Sequence, residues 1–86
     1  MDTKELQDKI KESFKIFGFT PFDERILDIK REFMHLTRWR DQNNLKEEVG
    51  DLLSSLIQLC NESEWDINDV VDKTLLKIKR RSEQYR

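Results

Sequence analysis

One proline and two glycines in 86 residues leave this chain little to punctuate it. So few breakers argue against many short strands joined by tight turns. Nor do the β-branched residues fall into alternating runs. A single cysteine, Cys60, excludes an internal disulfide framework and any cage of cysteines around zinc. It is in keeping with a reducing compartment. No apolar run approaches the ~20 residues of a membrane span. The N-terminus, Met1-Asp2-Thr3-Lys4-Glu5, lacks the basic-then-apolar order of a secretory signal. Neither sign of charge dominates: 16 Lys and Arg against 18 Asp and Glu give a net charge of −2, too little for a generic nucleic-acid binder. These absences lead us to expect a cytoplasmic protein with no membrane partner and no specific nucleic-acid partner.

What is present fits an all-α domain spanning residues 1–86. With 36% apolar residues the chain can build a core. At this length, though, a fold hides only about 60–65% of the surface its unfolded chain exposes. The expected architecture is an antiparallel helical hairpin protomer of about four helices, completed as a four-helix-type bundle by oligomerisation into a homodimer or homotetramer.

Leu6, Ile10, Phe14 and Phe17 form one stripe on a first helix from about Thr3 to Phe17, with Gly18 as its C-cap. Thr20-Pro21-Phe22-Asp23 reads as the next helix start, with Thr20 as N-cap and Asp23 completing a capping box. That helix is expected to reach about Arg40. A polar turn at Asp41-Gln42-Asn43-Asn44 follows, then a third helix from about Leu45 to Asn61. Its wide apolar face marks it as the most buried of the set. Asp66 is placed to cap a last helix from Ile67 to about Tyr85. Phe17, Phe19 and Phe22 cluster around one loop, as a staple between helices or part of a subunit interface.

Asp28, Glu32, His35 and Trp39 recur at i, i+4, i+7 and i+11, so they share one face of the second helix. Glu48 and Asp51 lie at the margin of the third helix's apolar face. Acids seldom sit there without a partner. A tight turn between the two helices can bring the acidic pairs face to face. Four carboxylates so placed repel unless cations lie among them. Hard divalent ions such as Mg²⁺ favour oxygen ligands and bind substrate phosphates as well. The competing reading is a solvated acidic face. Gly50, costly inside a helix, is explained if a backbone or ligand approaches closely; a helix can also tolerate it. Cys60 reads as an inert core residue.

Residues from about Leu27 to Arg81 resemble the MazG-like nucleotide pyrophosphohydrolases of the all-α NTP pyrophosphatase superfamily. Leu45-Lys46-Glu47-Glu48-Val49-Gly50-Asp51-Leu52-Leu53 is similar to the family's second metal motif, Glu-x-x-Asp followed by paired leucines. Leu27-Asp28-Ile29-Lys30-Arg31-Glu32-Phe33 resembles the first, Glu-Glu-x-x-Glu or Glu-x-x-Glu. Trp65-Asp66-Ile67-Asn68-Asp69 with Lys77-Ile78-Lys79-Arg80-Arg81 resembles the final helix.

The resemblance implies a Mg²⁺-dependent hydrolase, with Mn²⁺ as a substitute ion. It would cut nucleoside triphosphates between the α- and β-phosphates, releasing a nucleoside monophosphate and pyrophosphate. By the same resemblance Glu32, Glu48 and Asp51 are catalytic and metal-binding, and Asp28 is the leading acid of the first motif. Lys77 and Arg81, with Arg80 as an alternative, face the triphosphate. Trp39 lies near the base, and His35 shares that substrate side or is simply structural. One departure stands out. Ile29 occupies the place where the family most often has the first Glu of Glu-x-x-Glu, and Asp28 is rotated from it by about 100°. A three-carboxylate enzyme, a catalytically weakened nucleotide-binding or regulatory module, and a helical adaptor docking a basic partner all remain open.

Charge is also uneven along the chain. Residues 41–72 hold nine acids and one base, whereas residues 73–86 hold six bases and one acid. That polarity suits a metal–triphosphate site.

Overall fold

The computed structural model describes residues 2–84, which form four α-helices and no strands. They are α1 (Thr3–Phe14), α2 (Phe22–Thr37), α3 (Gln42–Glu62) and α4 (Ile67–Gln84), with a 3₁₀ turn at Lys15–Phe17 after α1. The all-α expectation holds. No helix among the described residues is long and apolar enough to cross a membrane.

Local chemistry sets the ends. Asp2 caps α1 by accepting from the Glu5 N–H at 2.8 Å. The first helix does not continue as α-helix to Phe17; its last turn tightens to 3₁₀, a common way to satisfy terminal carbonyls. Gly18 ends it at φ 71°, ψ −159°, a conformation open almost only to glycine, and its N–H donates to the Lys15 carbonyl at 3.0 Å. A methyl group at position 18 would meet nothing within 4 Å. Gly18→Ala is therefore expected to destabilise through backbone strain alone, by about 1–3 kcal/mol, as measured by urea unfolding.

Two boundaries differ from expectation. Thr20 does not cap α2. Pro21, extended at ψ 152°, takes the N-cap position with no side-chain cap bond, and its carbonyl accepts the first helical bond from Arg25 at 3.0 Å. The second helix stops at Thr37 rather than near Arg40, and α3 starts at Gln42 rather than Leu45. Asp41 is a cap and not part of a turn running to Asn44. Its Oδ1 accepts from the Asn44 N–H at 2.9 Å, while Asn44 Oδ1 accepts from the Arg40 N–H at 2.9 Å. Asp66 does cap α4, accepting from the Asn68 N–H at 2.7 Å. Tyr85, the expected end of that helix, lies outside the described residues.

Helices α2 and α3 pack along their lengths as an antiparallel hairpin, α1 lies on α3, and α4 packs against α1. Gln7 ties the far end together. Its side chain donates to Asn61 Oδ1 and the Trp65 carbonyl, each at 3.1 Å, and accepts the otherwise unpaired Ile67 N–H at 2.9 Å. As expected, α3 is the most buried helix; Ser55, Ile57 and Gln58 are its buried residues.

Among the described residues Ile57 is the one buried apolar side chain. Phe33, Leu53, Leu56, Val71 and Leu75 all stand exposed. The radius of gyration is 15.1 Å, against about 12 Å for a closed domain of this length. The chain therefore leaves most of its apolar stripes uncovered.

Candidate metal centre

The acidic face predicted on α2 meets the margin of α3, but not all of its members converge. Glu32, His35 and Glu48 each offer one ligand atom, and these atoms lie within 4.8 Å of one another. His35 Nδ1 stands 4.0 Å from Glu32 Oε2. Glu48 Oε1 accepts a long bond from Asn44 Nδ2 at 3.4 Å, and its Oε2 is buried with no hydrogen-bond partner. An ionised oxygen in that state is costly without a cation. Asp51, three residues beyond Glu48 and expected as a fourth ligand, is exposed and does not join this group, although its charge acts on Glu32.

Burial pushes the Glu32 carboxyl above its ordinary value, and the negative charges of Asp51, Asp28 and Glu48 push the same way while His35 opposes them. A carboxyl raised in the folded state supplies stability that is fully present below its unfolded pKa and is lost as pH rises through the folded one. Without metal, the Tm of the native chain is thus expected to fall relative to that of Glu32→Gln as pH climbs through and above 4.5, the ordinary Glu value. Paired thermal melts across pH check this.

Asp28 is engaged elsewhere. Its Oδ2 accepts from Arg25 Nη1 at 2.9 Å and from Ser55 Oγ at 3.3 Å. Arg25 is 4% exposed and is the one buried cation among the described residues. It also forks onto Glu62 at the far end of α3, with Nε to Oε1 at 2.7 Å and Nη2 to Oε2 at 3.1 Å. Its guanidinium lies 4.8 Å over the Phe14 ring. The Glu62 hydrogen bond, more than any other influence, raises the Arg25 pKa. This triad escaped the sequence reading. The i, i+3 spacing of Arg25 and Asp28 could have signalled half of it. Glu62, 37 residues further on, carried no signal.

Other candidates fall away from the cluster. Trp39 is half-exposed just past α2, its N–H donating to the Leu36 carbonyl at 3.2 Å. Lys77 and Arg81 ride on α4, which packs on α1, and Lys77 lines a separate groove with Trp65, Asp69 and Lys73. The structure does not bring either base to the acids within the chain. A methyl group at Gly50 would meet nothing within 4 Å, so the helix simply tolerates this glycine. Cys60 is half-buried, and burial raises its thiol pKa, which suits an unreactive residue.

The fold and the cluster together define a class: an all-α hairpin that gathers acids from two neighbouring helices around a space fit for a hard cation. The family model of the MazG nucleotide pyrophosphohydrolase domain matches residues 2–85, and the chain belongs to that family. No curated protein and no solved structure matches it. The family is generally divalent-metal dependent. The residues here fit such an ion: two carboxylates converge, and the buried Glu48 Oε2 lacks any other partner.

Proposed function

We propose that this protein is a Mg²⁺-dependent nucleoside triphosphate pyrophosphohydrolase of the house-cleaning type, releasing a (deoxy)nucleoside monophosphate and pyrophosphate. The observation that carries this reading is the convergence of Glu32 and Glu48, with an unpartnered buried oxygen, in a chain of this family. Glu32, Glu48 and Asp51 would hold the ion, and His35 faces the same space. Such an ion, when bound, neutralises the triphosphate and acidifies a water.

The remaining chemistry falls to the chain's own groups. Asp28 is committed to Arg25, which leaves Glu32 as the carboxylate of that face to accept the proton of the attacking water. Lys77 and Arg81 reach phosphate only if a neighbouring protomer supplies them. The uncovered apolar stripes support the homodimer or homotetramer that this requires.

The test is pyrophosphate release from a panel of dNTPs with Mg²⁺. Turnover that stops on metal removal is expected. No turnover and no Mg²⁺-dependent nucleotide binding would sink the proposal. One observation favours a second reading, a nucleotide-binding module with weakened catalysis: Asp28 pairs with Arg25 instead of joining the cluster, and Ile29 supplies no ligand. Mg²⁺-dependent binding without release of pyrophosphate would select it.

A further inference from the structure

A cavity of about 610 Å³ opens on the α1 side of the acidic cluster, within the size range of ligand pockets. Glu32 and Asp51 line it together with Phe14, Phe17, Arg25 and Asp28. On α3, Ser55 lies one turn beyond Asp51 and two beyond Glu48, about 6 to 10 Å at 1.5 Å per residue. That is close to the reach from a metal-bound phosphate to the base of the same nucleotide. Trp39 lies past the opposite end of the α2 acidic face and does not line this cavity.

Resting on the pyrophosphohydrolase reading, we propose that this cavity seats the base of the substrate and that Asp28 selects bases with an amino group in place of the carbonyl at pyrimidine C4 or purine C6. Phe17 is 72% exposed, its ring centroid 5.9 Å from that of Phe14. Arg25 already covers Phe14, so Phe17 is the free stacking surface. Both bonds to Asp28 fall on Oδ2, and among the described residues none falls on Oδ1. A carboxylate oxygen can only accept. It pairs with the amino group of cytosine or adenine and repels the corresponding carbonyl of uracil or thymine. Single bonds from Arg25 and Ser55 hold the carboxylate in place before any ligand arrives, so little ordering cost falls on binding.

The experiment compares dCTP with dUTP, which differ at that edge of the ring, by pyrophosphate release with Mg²⁺. The native chain is expected to favour dCTP in kcat/KM by at least about tenfold, since a site built to bond a donor rejects the analogue lacking it. Asp28→Asn, whose amide can also donate, should erase most of that ratio. Phe17→Ala, altering a mostly exposed side chain, should raise KM for both nucleotides with kcat nearly kept, and more than Trp39→Ala does. It carries the test if Asp28→Asn fails to fold. Equal use of dCTP and dUTP overturns the proposal while leaving pyrophosphohydrolysis intact, as does a KM rise from Trp39→Ala with none from Phe17→Ala. No release from any dNTP overturns the parent reading and this one with it.

Discussion

Glu48→Gln is expected to lower Mg²⁺-supported pyrophosphate release by at least about 100-fold, because changes merely in the support of metal ligands already cost 10–100-fold. The substitution keeps the shape of the side chain and removes its charge. In the native chain one Glu48 oxygen leans on Asn44 and the other is buried without a partner. That state is unfavourable until a cation enters, so the loss should appear first in metal binding. Stability separates this outcome from unfolding. Glu48 is one of the charges that push the Glu32 carboxyl upward, so neutralising it relieves repulsion in the metal-free protein. The variant should therefore melt no lower than the native chain. If the chain binds Mg²⁺ as proposed, the ion at 100 times its Kd should stabilise it by about 2.7 kcal/mol. That gain should vanish in Glu48→Gln, and Asp51→Asn should lose release in parallel. A variant that keeps native turnover, or that loses turnover only because it melts early, would remove Glu48 from the site.

Arg25→Ala is expected to cost about 2–3 kcal/mol, somewhat below the 3–5 kcal/mol typical of breaking a buried ion pair. The discount reflects its partners: the Asp28 and Glu62 side chains retain 29% and 24% exposure. Even so, a chain of this length holds only about 4–13 kcal/mol in total. The Tm should drop by about 10–20 °C. Removing the guanidinium strands two carboxylates against the hairpin and strips the Phe14 ring of its cation. Simultaneous Arg25→Met, Asp28→Asn and Glu62→Gln should recover much of the loss, since the penalty lies in the unpaired charges. Chemical denaturation of the single and triple variants checks this. Full recovery by Arg25→Met alone would show that packing, not charge pairing, is what Arg25 supplies.

Much of the fold was legible residue by residue. The stripe Leu6, Ile10, Phe14, Phe17 marks a helix because only a 3.6-residue period aligns those side chains. Gly18 and Asp66 act as the end and start signals that they resemble. Thr20 and the 41–44 turn differ from expectation because a helix starts where the backbone leaves the extended region, a matter of one or two residues. Asp41, Asn43 and Asn44 all suit a cap, whereas beside Thr20 it is Pro21 that takes the place, with no side-chain cap bond.

The acidic face is a similar case. Spacing places Asp28, Glu32 and His35 on one side of α2, yet only Glu32 and His35 join Glu48. Asp28 was drawn off by Arg25, whose other anchor, Glu62, lies far along the chain.

By itself, then, the sequence determined the helical class, the family motifs and the two acidic segments, all of them set by neighbours within a turn or two. The tertiary structure alone decided which acids meet, that Arg25 is buried between two carboxylates, and that α4, which carries the basic residues, packs on α1 and away from the cluster. The physical reason is range. Periodicity and capping are local and can be read from spacing. Pairing of charges depends on which helix faces which, and that follows from packing across the whole chain.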